Sequence, residues 1–361
     1  MPKKAKIRAR AAALKTMFED AGANPVETSL LQPAEVLLDL YGEDIRARAY
    51  VTSDALRGEQ MLRPDFTVPV VQMHMDHGAE PARYTYAGEV FRRQEDDPSK
   101  PNEYAQVGYE VFDRENPAAA DAEVFALIRK GLGDLDLRAA TGDIGILMAA
   151  VSGLNTTQRR KDALLRHIWR PRRFRALLDR FSGRTPAPQA RMAMLAKPDP
   201  MTHDFPRIGL RSDAEVAARI EALKEDAEAA PITANEVALI EALLGVREKL
   251  PYALEHLRDI AVDMPAITEA VYCLKDRMDA LQAQGIDVDA LEFEASYGRT
   301  SMEYYDGFVF GFYAEGRPDL PPVATGGRYD ALTRVLGQGR EIPAVGGVIR
   351  PGLLLELEGA L

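Results

Sequence analysis

The sequence predicts an α+β fold, a sheet domain carrying a helical insertion, and two observations predict it. Short apolar runs separated by Gly, Pro and Asp/Asn clusters gather toward both ends of the chain, whereas the middle reads as helices. A leading amphipathic helix is expected over Lys6–Glu19, where Ile7, Ala11, Leu14 and Phe18 recur at helical spacing and Gly22 supplies a stop. From Pro25 to Asp113 the pattern turns strand-like, with runs at Arg83–Ala87 and Ala105–Phe112. In the middle, Ser212-Asp-Ala-Glu215 and Thr233-Ala-Asn-Glu236 are both capping boxes, in which a hydroxyl and an acid satisfy each other's backbone donors. Val237, Ile240 and Leu244 follow the second box, and Gly245 marks its end. From Leu291 the chain returns to a strand run at Gly307–Phe312, then a glycine turn and a final helix. The boundaries expected are a sheet core over residues 1–140 and 286–361, with the helical insertion at 141–285.

Length and composition narrow the function classes. At 361 residues, 46% hydrophobic and 28% charged, the chain buries a core without covalent staples. Its one cysteine, Cys273, excludes an intrachain disulfide and a cysteine metal site and suits a reducing compartment. Met1 to Phe18 is basic but lacks the apolar stretch of a secretory leader. Ile144–Leu154, the longest nearly unbroken apolar run, is about half of the ~20 residues that span a bilayer. Asp+Glu at 56 exceeds Lys+Arg at 45, and a net charge of −11 makes a poor general nucleic-acid binder. The expectation is a cytoplasmic globular protein with no membrane partner, no cofactor and no metal.

Two local clusters admit two readings each. Arg159–Arg184 carries ten basic residues, among them Arg170, Arg172, Arg173 and Arg175. They form either a phosphate, RNA or partner-docking surface with Trp169 available for stacking, or a solvated face whose Leu164, Leu165, Ile168, Leu177 and Leu178 pack inward. His74, Asp76 and His77 are either a metal pair or structural residues, and no third ligand of matching spacing accompanies them.

The segment richest in information is Tyr84-Thr-Tyr-Ala-Gly-Glu-Val-Phe-Arg92-Arg-Gln94, followed by Gln106-Val-Gly-Tyr-Glu110-Val-Phe112. It predicts a strand ending in arginine, a charged loop, and a strand whose Gln106, Gly108 and Glu110 share one face. That face is either a polar pocket floor or an exposed sheet surface.

Phe91-Arg92-x-Gln94 with Gln106-x-Gly108-x-Glu110 resembles motif 2 of class II aminoacyl-tRNA synthetases, specifically the histidyl enzymes. Leu62-Arg63-Pro64-Asp65-Phe66-Thr67 resembles a second signature of that family, and Glu303-Tyr304-Tyr305 with Gly326-Gly327-Arg328-Tyr329-Asp330 resembles its two histidine-specific motifs. The resemblance runs in family order from about residue 20 to the C-terminus and implies an antiparallel sheet flanked by helices. It also implies a free-histidine pocket built from Asp65, Thr67, Arg92, Gln106, Glu110, Tyr304 and Tyr305. Asp65 would hold the ligand's ammonium with Thr67 and Gln106. Glu110 and Tyr305 would pair the two imidazole nitrogens, and Arg92 would face the carboxylate. A buried ammonium needs a carboxylate and a buried imidazole needs both nitrogens paired.

The departures from the pattern are as informative. The family's catalytic arginine falls on Thr300, its adenine-stacking arginine on Leu353 and its phosphate-binding loop arginine on Asn102, while the acid after Arg92 is Gln94. Arg299 and Arg350 lie nearby. Losing one such cation costs about 10²–10³ in rate, so three approach ~10⁶. The resemblance therefore implies retained histidine binding without adenylation. The family's anticodon-binding domain has no counterpart before Leu361, which makes tRNA an unlikely partner.

A synthetase-like domain of this kind is similar to the regulatory subunits of short-form ATP phosphoribosyltransferase. That similarity implies a non-catalytic subunit that forms a hetero-oligomer with a catalytic chain at the first step of histidine biosynthesis. L-histidine would be its effector in feedback inhibition, and a self-dimer would form through the synthetase-like core. The alternatives are an active enzyme adenylating histidine, with Arg299 and Arg350 as shifted substitutes, and an RNA-binding module using Arg159–Arg184.

Overall fold

The computed structural model of the chain describes residues 3–34, 47–94, 100–201, 209–299 and 304–361. Helix α1, Lys3–Asp20, buries Ala11, Leu14 and Phe18, three of the four residues whose spacing predicts it. It is followed by strands β1 (Asn24–Pro25), β2 (Leu31–Pro33), β3 (Val51–Asp54) and β4 (Gly58–Leu62), then helix α2 (Thr67–His77). The two long strands β5 (Ala82–Phe91) and β6 (Glu103–Phe112) pair along their full length, and helix α3 (Pro117–Gly131) and strand β7 (Arg138–Asp143) complete the first part.

The middle holds helices α4 (Ile144–Gly153), α5 (Gln158–Arg166), α6 (Pro171–Phe181), α7 (Gln189–Leu195), α8 (Asp213–Glu228), α9 (Ala234–Gly245), α10 (Leu250–Asp263) and α11 (Thr268–Ala283). Strand β8 (Arg247–Lys249) lies among them. The last part consists of β9 (Glu292–Glu294), β10 (Phe308–Tyr313), β11 (Ala324–Arg328), α12 (Asp330–Leu336), β12 (Ala344–Ile349) and α13 (Pro351–Leu357).

Among the described residues, nine strands form one sheet in the order β1-β5-β6-β12-β11-β10-β7-β9-β8, and β2, β4 and β3 form a small second sheet. Every pairing is antiparallel except β1 with β5 and β7 with β9. The α+β class, with a mostly antiparallel sheet flanked by helices and a helical middle, matches the expectation.

Strand alternation divides β6 into two faces. Val107, Tyr109 and Val111 turn toward the helices, where Tyr109 packs on Phe18 of α1 at 5.3 Å and donates to Glu123 of α3. Burying each of these large side chains contributes about 1.5–3 kcal/mol. Gln106, Gly108 and Glu110 therefore turn to the opposite face.

Both capping boxes form: Ser212 with Glu215 starts α8, and Thr233 with Glu236 starts α9. The basic stretch is largely a packed one. Leu164, Ile168, Phe174 and Leu178 are buried, Arg160 donates to Asp226 at 2.7 Å, and Arg175 and Arg184 both reach Glu241. Arg159, Arg160, Arg175 and Arg184 thus tie this stretch to acids of α8 and α9, whereas Arg166, Arg172 and Arg173 are exposed. Trp169 is half-buried, and its indole donates to the Tyr305 carbonyl at 3.3 Å, so it links the helical middle to the last part of the chain.

A buried ionic chain makes a second link. Arg277 of α11 donates to Asp121 of α3 and to Asp143 at the end of β7, each at 2.7 Å, and Arg328 of β11 donates to Asp121 at 2.7 Å. His74 is fully buried, stacked on Phe112 at 4.0 Å and bonded through Nδ1 to the Tyr84 hydroxyl, whereas Asp76 and His77 are exposed. The three side chains do not converge. Among the described residues no helix is long and apolar enough to cross a membrane.

Candidate functional site

The site grows from the β5–β6–β12 ladder. Register places Tyr86 opposite Gly108, and Glu110 opposite Tyr84 on one side and Gly346 on the other. Gly108 has no side chain, and a Cβ there would lie 2.2 Å from the Tyr86 ring. The ring occupies that gap, which carries its hydroxyl to Glu110 Oε1 at 2.7 Å. Thr67, at the start of α2, donates to the same oxygen at 2.9 Å, and Tyr329 donates to Oε2 at 2.5 Å. Gly346 is required for the same reason: a Cβ would sit 1.4 Å from Glu110 Oε2. A carboxylate accepts about four hydrogen bonds, so one acceptor position of Glu110 remains beside Gly346.

Above this floor lies a narrow cavity of about 40 Å³ lined by Asp65, Thr67, Arg92, Gln106, Tyr304 and Tyr305, with Thr325, Gly346, Gly347, Val348 and Arg350 closing it. That is room for roughly three waters. Asp65 is buried and accepts from the Tyr304 hydroxyl at 3.2 Å and from the Val68 amide. Gln106 is only 2% exposed, and its side-chain carbonyl has no hydrogen-bond donor among the described residues. A buried acceptor left this way costs about 1–3 kcal/mol, and such a group marks a place where a ligand or water donates.

Electrostatics set the Glu110 carboxyl apart from surface ones. Burial pushes the Glu110 carboxyl up to about 7 against the opposing pull of its three hydroxyl donors. Burial also holds the Tyr305 phenol well above its ordinary value, with Glu110 and Asp65 adding to the effect. Burial alone would raise the Tyr104 phenol, but Arg92, Arg350 and Arg48 together bring it below its ordinary value. The cavity therefore brings guanidinium groups and carboxylates together. Such a surface suits a zwitterion.

Six of the seven residues singled out from the sequence line this one cavity. Glu110 does not line it; it lies beneath, behind Thr67 and Gly346. Thr67 serves Glu110 in this structure, and Arg92 donates through Nε to the Pro64 carbonyl at 2.7 Å. Sequence reading missed Tyr86 as a donor, although the glycine opposite it in the ladder was a signal of close approach. Tyr329 stood inside a quoted motif without a role. Of the departures, Asn102 closes the β5–β6 loop, accepting from the Arg92 and Gln94 amides at 2.9 and 3.1 Å, and Leu353 packs against the core. Thr300 and Glu303 lie outside the described residues. Arg299 donates to the Ile168 carbonyl at 2.7 Å and stacks on Phe174, so it joins the insertion and does not line the cavity; Arg350 does.

A larger void, about 860 Å³, opens between α5, α6, α7 and α8. Its walls are arginine–carboxylate pairs such as Arg160–Asp226 and Arg159–Glu225. Volume alone does not make a site; convergent polar groups with an unpaired buried acceptor do, and these belong to the small cavity.

Comparison with known proteins agrees with this geometry. The family model described as histidyl-tRNA synthetase matches residues 1–204 and 209–351. A Brucella anthropi protein named ATP phosphoribosyltransferase regulatory subunit is 30% identical over 356 residues, covering 92% of this chain and 93% of its own. A Brucella abortus protein of the same name is 30% identical over 357 residues, covering 92% of each. Among solved structures, a Bacillus halodurans protein described as an ATP phosphoribosyltransferase regulatory subunit/histidyl-tRNA synthetase superposes with a TM-score of 0.69 at 20% identity, covering 99% of this chain and 80% of that one. A histidine–tRNA ligase subunit from Alicyclobacillus acidocaldarius gives 0.60 at 23% identity, covering 99% and 94%. With its sheet, its ladder and its sequence all pointing the same way, the chain belongs to the histidyl-tRNA synthetase-like family of ATP phosphoribosyltransferase regulatory subunits.

Proposed function

We propose that this chain is the non-catalytic, histidine-sensing subunit of an ATP phosphoribosyltransferase whose catalytic site lies in a partner chain, at the first step of histidine biosynthesis in the cytoplasm. The observation that carries the reading is the cavity itself. It joins a buried Asp65 carboxylate and the donor-less Gln106 carbonyl above Glu110, whereas two positions expected to hold nucleotide-binding arginines hold Asn102 and Leu353 in structural roles. Asp65 and Gln106 would take the ligand's ammonium, and the remaining acceptor position of Glu110 would take an imidazole N–H. The cavity is smaller than histidine, so the lining side chains part as the ring enters. Regulation then follows from linkage. If histidine binds an inhibited arrangement of the assembly more tightly than the active one, it shifts the equilibrium by that ratio, typically about 1–3 kcal/mol. Substrates of the partner must weaken histidine binding by the same factor.

The reading includes a sheet core at 1–140 and 286–361, an insertion at 141–285, and a self-dimer. Leu30, Leu31, Val51 and Leu56, all on or beside the small sheet, are 49%, 49%, 46% and 93% exposed, which supports a covered face there. The test is calorimetric titration of L-histidine into the chain alone and mixed with a short-form catalytic subunit, together with activity assays of the mixture. The expected results are stoichiometric histidine binding, activity that requires this chain, and inhibition by histidine. Absence of histidine binding to both preparations overturns the reading.

A further inference from the structure

Arg350 sits at the turn from β12 into α13, where its backbone amide donates to the Val323 carbonyl at 2.9 Å. Its side chain lines the cavity together with Asp65, Arg92 and Gln106 and rests over the Tyr104 ring, 5.2 Å from the centroid. It takes part in none of the side-chain hydrogen bonds or ion pairs formed among the described residues, unlike Arg277, Arg328 and Arg160, which each hold a carboxylate. An arginine inside a cavity is costly unless paired, and burial already weakens its hold on its proton, with Arg92 adding like charge. Two guanidiniums facing one small space are an arrangement that an anion relieves.

Resting on the histidine-binding reading, we propose that Arg350 anchors the α-carboxylate of the ligand and so restricts the site to complete amino acids. Arg92 is already committed through Nε to the Pro64 carbonyl. Arg350 has its whole guanidinium fork available, and that fork matches a carboxylate in a bidentate manner. Asp65 and Gln106 take the ammonium end of the same ligand, so both charges of a zwitterion find partners in one cavity. An amine lacking the carboxylate would leave the Arg350 guanidinium without its partner beside the like charge of Arg92, and the site would reject it for that reason.

The experiment titrates L-histidine and histamine into the full-length chain and into Arg350→Gln, with Arg350→Lys as a second variant that keeps the cation but loses the fork. The wild-type chain is expected to favour histidine over histamine by about 100-fold or more. Arg350→Gln should lose about 10- to 100-fold in histidine affinity with histamine unchanged, and Arg350→Lys should fall between. Equal losses for both ligands, or a preference preserved in Arg350→Gln, overturn the assignment while histidine binding by the wild type stands. A wild-type chain that binds neither ligand overturns the histidine reading and this assignment with it. Should Arg350→Gln melt before titration, Arg350→Lys decides alone: a preference equal to wild type rejects the anchor.

Discussion

Among the described residues, buried carboxylates gather in two places and are satisfied by opposite means. Asp121 and Asp143, between the sheet and the insertion, are held by the guanidiniums of Arg277 and Arg328. Glu110, beneath the cavity, is held by three neutral hydroxyls from Thr67, Tyr86 and Tyr329. A fixed counter-charge makes a clasp: the pair is closed to other partners and ties distant segments together, here residues 156 positions apart. Hydroxyls leave the negative charge uncompensated, so the carboxyl is drawn toward its protonated form and remains receptive to a donor from outside. The first arrangement serves assembly and the second serves recognition.

The largest effect that could break this contrast is on the clasp. Arg277→Ala leaves Asp143 buried with only the Gly145 amide at 2.8 Å and should destabilise the fold by about 3–5 kcal/mol, read as a lowered urea midpoint. Adding Asp143→Asn in an Arg277→Met background should recover much of that loss, because both charges then leave together. Histidine affinity of whichever variant remains folded should stay within about twofold of wild type. A large change in affinity at constant stability would show that the two carboxylate clusters are not separate in function.

The next effect is a pH slope. The Glu110 carboxyl moves from its ordinary 4.5 up to about 7 through burial, and desolvation moves the half-buried Asp306 beside Asp330 from 3.8 to about 7. Between those limits the folded chain holds protons that the unfolded chain has released. Stability therefore falls as pH rises from about 4.5 to about 7, by at most about 1.4 kcal/mol per pH unit for each proton. Glu110→Gln should remove its part of this slope and leave the Asp306 part, as measured by urea unfolding at several pH values. The same variant should weaken histidine binding by at least about tenfold at pH 8, where the native carboxylate is ionised and the amide is not.

Much of this site was legible because it is written locally. The Gln106–Gly108–Glu110 alternation needs only the two-residue period of a strand, and both capping boxes need only four consecutive residues. Asp65, Thr67, Tyr304 and Tyr305 were reached through motif resemblance, and all four line the cavity. What was not legible depends on partners far away in sequence. The burial of Glu110 behind Thr67 is set by α2 packing on the sheet. The fate of the basic stretch is set by acids of α8 and α9, and the clasp is set by helices that meet only after folding. Arg350 was visible, but its orientation into the cavity follows from the β12–α13 turn and not from its neighbours in sequence.

The smallest effect is the one that resolves the contrast most finely. Tyr329→Phe deletes a single hydroxyl from Glu110 and leaves Thr67 and Tyr86 in place. A hydrogen bond between neutral groups contributes about 0.5–1.5 kcal/mol, and one to a charged group about 1.5–3. The cost of Tyr329→Phe should therefore depend on the protonation of its partner: near the lower range at pH 5.5, where the Glu110 carboxyl holds its proton, and near the upper range at pH 8.5, where it does not. Arg277→Ala, whose arginine stays charged throughout, should show no comparable step over the same interval. A cost for Tyr329→Phe that is constant from pH 5.5 to 8.5 would mean that Glu110 keeps one protonation state across it, and the receptive, proton-exchanging character assigned to the cavity floor would be withdrawn.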